Sequence, residues 1–257
     1  MNFLKIFEGK KKEKLLWESK DSELTVQVWE IGDRRELRFG NKVLQSVFSV
    51  AQPQNLVLPY TRYMLLGLIF FPEPKSILHI GLGGGSIARW FHSEFPNIKQ
   101  TIIEVNESVI EAAYRFFKFP RNNRIQVING DATKLVQVIS EKFDLIFLDA
   151  FNDFGAPEEV KGTDFLRSLC SCLNTSGLVV GNFWTLTGDF KEQCEKWRAT
   201  FTSVHNARAN KKGNEILFGS QKPIIKEESK FLQISNILEE RHRIDFPKMN
   251  CDLIRLY

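Results

Sequence analysis

The chemistry legible in this chain sits at the ends of four short apolar runs. Ser76-Ile77-Leu78-His79-Ile80 leads into Gly81-Leu82-Gly83-Gly84-Gly85-Ser86. Glycine has no Cβ, so a strand can turn tightly there and the backbone can come close to a nucleotide. The helix that follows offers free N–H groups at its start. Glu104 ends the next run, Ile102-Ile103. An acid about 20 residues past the glycines is placed to accept both hydroxyls of a ribose. Asp131 and Ala132 follow the third run and Gly130. A carboxylate there can accept the adenine amino group and also cap a helix. Asp149 follows the fourth run, Phe143 to Leu148. A glycine turn, Glu, Asp and Asp at successive ends point to a nucleoside-type ligand. Asp144, near the start of the fourth run, reads instead as a solvent-facing acid.

A nicotinamide dehydrogenase would share the glycines and Glu104. It would usually carry a third spaced glycine at position 86, which is Ser. It also has less use for acids after the third and fourth runs. Those acids suit an adenosyl ligand bearing a sulfonium cation, with Asp131 on the adenine.

Such ends must share one edge of a sheet. Strands are expected at Ser76–Ile80, Gln100–Val105, Ile125–Asn129, Phe143–Leu148 and Leu178–Asn182. Helices are expected at Ile87–Glu94, Glu107–Phe117, Ala132–Ser140, Gly162–Leu173 and Lys191–Phe201. Apolar strands alternating with helices give a doubly wound parallel sheet covered on both faces, an α/β fold. Ahead of it, Leu24–Trp29, Arg35–Phe39 and Val43-Leu44 alternate with period two around Gly32-Asp33 and Gly40-Asn41. They predict a small antiparallel meander. One helix is expected over Tyr60–Phe70, stopped by Pro72 and Pro74. Ser203–Ala209 and Asn214–Gly219 suit a hairpin across Lys211-Lys212-Gly213, with a helix and an irregular end after Lys226. The expected division is an N-terminal β domain over 1–52 and a Rossmann-like domain over 53–257.

The chain has 257 residues and a formal net charge of +4, small for its length. Lys10, Lys11, Lys12 and Lys14 read as a solvated basic cluster, not a nucleic-acid site. Cys170, Cys172, Cys194 and Cys251 form no CxxC pair and have no His cluster beside them, so buried reduced thiols and no metal are expected. The longest apolar run, Tyr63 to Phe71, is far short of the ~20 residues of a membrane span. Without a signal-like start, a cytoplasmic protein with no membrane partner is expected.

From about residue 24 to 220 the sequence resembles the spermidine synthase (polyamine aminopropyltransferase) family. The resemblance is carried by Gln45, Tyr60, the glycine loop, Ile103-Glu104-Val105-Asn106, Gly130-Asp131-Ala132 and Leu148-Asp149-Ala150-Phe151-Asn152-Asp153. It implies a small N-terminal β domain on a methyltransferase-type Rossmann fold, assembled as a homodimer. It implies decarboxylated S-adenosylmethionine as cofactor, methylthioadenosine as product and a small amine as acceptor. Glu104 would bind ribose and Asp131 adenine, with Gln45, Gly81, Gly83, Gly85 and Ala132 completing the nucleoside site. Asp149 would orient the attacking amine and help take its proton, with Tyr60 beside it.

Some family positions differ. Gly84 stands where the family has an Asp for the aminopropyl amine, and Tyr60-Thr61-Arg62 replaces Tyr-x-Glu. Asn152 replaces the second Asp of the motif after strand four, with Asp153 adjacent; Asn182 and Trp184 replace a Gln and a Glu. The expected substrate side is therefore Arg62, Asn152, Asp153 and Trp184, with Phe151, Phe154 and Phe183 as a wall or as core. Three readings stay open: an aminopropyltransferase with an altered acceptor site, a methyltransferase whose Arg62 pairs the carboxylate of intact S-adenosylmethionine, and a relative that binds adenosyl nucleosides without turnover.

Overall fold

The computed structural model describes residues 12–20, 24–40, 43–150, 157–209, 213–225 and 227–256. Lys10, Lys11, Asn41, Phe151, Asn152, Asp153, Phe154, Lys211 and Lys212, named above, lie outside the described residues.

The chain opens on an antiparallel meander of β1 (Glu13–Lys20), β2 (Thr25–Ile31), β3 (Arg34–Phe39) and β4 (Val43–Ser49), paired in that order. It has one strand, β1, more than the three segments named from the sequence. Alternation in β2 turns Val26 and Val28 inward, where both are fully buried. With Leu37, Phe39 and Phe48 they pack on Val109, Ala112, Ala113 and Phe117. The meander thereby brings β4 against the glycine turn.

Two short helices follow, α1 (Pro59–Met64) and α2 (Gly67–Phe70), where one helix was expected. The junction tightens into i→i+3 hydrogen bonds, Leu65 N to Arg62 O and Leu66 N to Tyr63 O. Met64, Leu65, Leu66 and Leu68 are all fully buried, so this segment has no solvent face to run along. Gly67 lies against Val180, which would be 3.1 Å from an added Cβ.

The main unit runs β5 (Ser76–Ile80), α3 (Ser86–Glu94), β6 (Lys99–Glu104), α4 (Glu107–Phe116), β7 (Ile125–Asn129), α5 (Ala132–Leu135), β8 (Phe143–Leu148), α6 (Glu158–Lys161), α7 (Thr163–Ser171), β9 (Leu173–Trp184), α8 (Phe190–Thr200), β10 (Ser203–Arg208), β11 (Asn214–Ser220), α9 (Glu228–His242), α10 (Phe246–Asn250) and β12 (Leu253–Arg255). The eight strands lie in the order β12-β10-β11-β9-β8-β5-β6-β7. The five strands β5 to β9 are mutually parallel; β11, β10 and β12 are antiparallel. This is an α/β Rossmann-like fold. The chain leaves β5 toward β6 and β7, then crosses back to β8, so the order reverses between β5 and β8. Ligands of such sheets bind beyond the carboxyl ends at that reversal.

Both faces of the sheet are covered, and β8 is buried along its whole length. Ile77, Leu145, Phe147, Val180 and Phe218 face Met64, Phe91 and Phe231. Leu78, Ile146, Val179 and Leu217 face Leu166, Leu169 and Trp197. Four details depart from expectation. The tail ends as β12, paired on β10. Helix α5 is shorter than predicted and passes into turns. Asp144 is buried, accepting from Lys75 N at 2.7 Å and Asn174 Nδ2 at 2.7 Å, so it ties strand ends together. Cys251 is exposed while Cys172 and Cys194 are buried, and all four thiols are free. Among the described residues no helix is long and apolar enough to cross a membrane.

Candidate active site

A cleft of about 670 Å³ opens at the carboxyl ends of β5, β6, β7 and β8, closed on one side by Leu24, Phe39, Gln45 and Ser46 of the meander. Gly81 adopts φ +95°, and a Cβ there would lie 2.4 Å from Asp149 O. Only glycine lets the ends of β5 and β8 meet this closely. Gly83 has φ +53° and faces Ser46. Gly85 has φ +67° at the N-cap of α3, and the Phe119 ring fills its Cβ direction, so it does not line the cleft.

Gly84 donates its N–H to Ser46 Oγ at 2.8 Å. An added Cβ would meet the Phe117 ring at 2.8 Å and Ser46 Cβ at 3.0 Å. The missing acid at this position is thus also a packing fact: the space is taken by core side chains. Arg89 fixes the loop from beneath. Its Nη1 donates to Gly84 O (2.9 Å) and Phe117 O (3.0 Å), and its Nε to Pro53 O (2.8 Å). Burial lowers its pKa to about 10.

Glu104 is buried at the end of β6. Its Oε2 accepts from Leu82 N at 2.9 Å and its Oε1 from Asn106 N at 3.0 Å. Burial raises its pKa, against the pull of those backbone donors. The N–H groups of Gly83 and Val105 also pull it down, so the carboxylate is anchored by backbone at the edge of the cleft that it lines. Asp131 caps α5, accepting from Thr133 N at 2.9 Å and Thr133 Oγ1 at 2.6 Å; those bonds lower its pKa. It also lines the cleft beside Ala132. Gln45 lines it too, with a buried Nε2 that has no partner among the described residues.

Asp149 is held on both oxygens. Asn182 Nδ2 donates to Oδ1 at 2.8 Å and Tyr60 Oη to Oδ2 at 3.2 Å. Asn214 Nδ2 in turn donates to Asn182 Oδ1 at 2.9 Å. Burial raises the Asp149 pKa, opposed by both donors, and burial beside Asp149 pushes the Tyr60 phenol well up. In both groups burial disfavours the charged form.

The structure thus brings Gln45, Tyr60, Gly81, Gly83, Glu104, Asp131, Ala132 and Asp149 to one cleft. It does not bring Arg62 there. Residues two apart on a helix point to different sides, and Arg62 is exposed while Tyr60 reaches Asp149. Trp184 closes β9 outside the cleft lining, and Phe183 is core, 5.8 Å from Trp197. Asn152 and Asp153 lie outside the described residues. Among the described residues no cluster of three His, Cys, Asp or Glu could hold a metal.

Sequence reasoning missed Ser46, His79 and Glu159 in the lining and the bond from Asn182 to Asp149. Only His79 carried a local signal, a polar residue inside an apolar run. The described lining holds four carboxylates, Glu104, Asp131, Asp149 and Glu159, and no Lys or Arg. That is a cation-receiving cleft on a chain of net positive charge.

Known proteins match this chain at several levels. The profile of the Spermine/spermidine synthase domain matches residues 59–208. The sequence is 28% identical over 228 residues to a polyamine aminopropyltransferase of Neisseria meningitidis serogroup B, covering 87% of each chain. It is 30% identical over 211 residues to one of Vibrio vulnificus, covering 79% of this chain and 71% of the relative. Among solved structures, a probable spermidine synthase from Corynebacterium glutamicum superposes with TM-score 0.74 at 21% identity, over 87% and 86% of the two chains. Human methyltransferase-like protein 13 in complex with SAH superposes with TM-score 0.67 at 24% identity, over 72% of this chain and 92% of that one. At these identities the structural likenesses speak for the fold.

Proposed function

The chain belongs to the spermine/spermidine synthase family, and from that premise we propose that it transfers an aminopropyl group from decarboxylated S-adenosylmethionine to a small amine, releasing methylthioadenosine. The observation that carries the proposal is the described lining of four carboxylates without a Lys or Arg. The decarboxylated donor brings a sulfonium and an ammonium and no carboxylate. Intact S-adenosylmethionine would bring a carboxylate to a described lining without a Lys or Arg, where Lys134 beyond it is already paired with Asp131, and burying an unpaired charge is costly. Arg62, the residue that favoured a methyltransferase, is exposed outside the lining.

The residues divide the work as follows. Glu104 takes the ribose hydroxyls, while Asp131, Ala132 and Gln45 frame the base. Glycines 81 and 83 let the nucleoside lie against backbone. Asp149 and Tyr60 hold the acceptor amine in line with the carbon next to sulfur. The amine lone pair forms the new C–N bond as the C–S bond breaks and its electron pair returns to sulfur. Asp149, whose pKa burial raises, accepts the proton the new ammonium gives up. The leaving group is a neutral thioether and needs no acid. On this reading the meander forms an N-terminal domain over 1–52 that gives Gln45 to a Rossmann-like domain over 53–257. A homodimer is kept from the family resemblance.

Incubation with decarboxylated S-adenosylmethionine and putrescine, cadaverine or spermidine tests the proposal through release of methylthioadenosine. Turnover lost in Asp149→Asn supports it. Methyl transfer from intact S-adenosylmethionine, or binding without product from any amine, overturns it.

A further inference from the structure

His79 lies in the middle of β5, 4% exposed, yet it lines the cleft. Its ring stacks on Phe147 at 5.4 Å with 14° between planes. Its tautomer follows from its neighbours. The carbonyl of Ala88 only accepts, so the Gln100 amide nitrogen that bonds it at 3.0 Å must face it. The Gln100 amide oxygen then faces His79 Nε2, 2.9 Å away. That oxygen only accepts, so Nε2 carries the hydrogen and Nδ1 carries a lone pair. Burial lowers the pKa to about 4, so the ring is neutral. Nδ1 bonds to none of the described residues.

The register places this residue. His79 pairs with Phe147 and with Ile102. Glu104 lies two residues further along β6, and Asp149 two residues past Phe147, just beyond the end of β8. Along the strands, the His79 backbone is therefore about 7 Å short of the backbone that carries the two carboxylates. The lining around it is Thr61, Ile87, Ala88, Ile102 and Phe147. The Thr61 hydroxyl gives its hydrogen to Leu58 O, so toward the pocket it too can only accept. A largely apolar pocket with the His79 nitrogen as acceptor, the Thr61 oxygen beside it and two carboxylates at its mouth suits an alkyl chain bearing a primary amine.

We propose that His79 is a specificity residue whose Nδ1 accepts an N–H from the primary amine of an alkyl chain in this pocket. This rests on the aminopropyl-transfer reading, which supplies two sources of that group: the donor's aminopropyl chain and the acceptor amine.

The test is nitrogen-15 NMR of the His79 ring in the intact protein, with methylthioadenosine, with methylthioadenosine plus putrescine, and with decarboxylated S-adenosylmethionine. The expected result is an unprotonated Nδ1 in the free protein, unmoved by methylthioadenosine. It should shift toward the hydrogen-bonded position with putrescine added if the acceptor is read, or with the decarboxylated donor if the aminopropyl chain is read. His79→Phe keeps the stacked ring and should weaken that amine-bearing ligand about tenfold or more while leaving methylthioadenosine within twofold. Ligands that bind while Nδ1 stays unmoved, or a free protein with Nδ1 protonated, overturn this proposal alone. Failure of all three ligands to bind overturns the aminopropyl reading and this proposal with it.

Discussion

Replacing Asn182 by Leu tests the electrostatics of the site most sharply. Asn182 is nearly the size of Leu and 3% exposed, so the change removes a donor without opening a large cavity. What goes is the 2.8 Å bond from Nδ2 to Asp149 Oδ1, together with the 2.9 Å bond that Oδ1 accepts from Asn214. A hydrogen bond to a charged group contributes about 1.5–3 kcal/mol, and about 1.4 kcal/mol is one pKa unit. Tyr60 stays on Oδ2 and takes up part of the loss. Asp149 should therefore move up by about one unit from an already raised pKa. The sign is fixed: losing a donor disfavours the carboxylate, so the basic form appears only at higher pH. The acid limb of kcat/KM, followed through methylthioadenosine release, should move up by about one pH unit. Asn182→Asp, a like charge at the same place, should move it further. A limb that stays put in both variants, or moves down in either, would refute Asp149 as the group that takes the proton.

Four further outcomes are expected. Gly81→Ala drives a Cβ into Asp149 O at a positive φ and should cost about 3 kcal/mol or more, read by urea unfolding. Glu104→Gln should weaken methylthioadenosine about tenfold to a hundredfold by calorimetry, because a charged acceptor of the ribose is lost. Arg62→Glu should leave affinity for decarboxylated S-adenosylmethionine within twofold, since that side chain is exposed away from the cleft. Glu104 and Asp149 have raised folded pKa values, so their contribution to stability is present below the unfolded values and lost as pH rises through the folded ones. A sulfonium ligand restores it, so its thermal shift should grow with pH more than that of neutral methylthioadenosine.

The parts legible in the sequence were those set by local pattern. Glu104, Asp131 and Asp149 each follow an apolar strand, and parallel strands put such residues on one edge. Glycine spacing located the turn for the same reason. What escaped depends on contacts far apart in the chain. Asn182 reaches Asp149 only because β9 pairs with β8. Ser46 reaches Gly84 only because the meander docks on α4. His79 stands inside an apolar run and on its Nε2 side is a core residue, so nothing local to it marks the cleft. Arg62 followed Tyr60 in a motif, but helix geometry separates the two. The helix over Tyr60–Phe70 is split by a tight i→i+3 junction at Leu65-Leu66, which no Gly or Pro at those positions announces.

The central claim is that this cleft receives a cation that carries no carboxylate. Calorimetric titration of the protein with decarboxylated and with intact S-adenosylmethionine, in one buffer, tests it directly. The decarboxylated form should bind at least about tenfold more tightly, a difference of about 1.4 kcal/mol. Equal affinity, or tighter binding of the intact form, would contradict the claim.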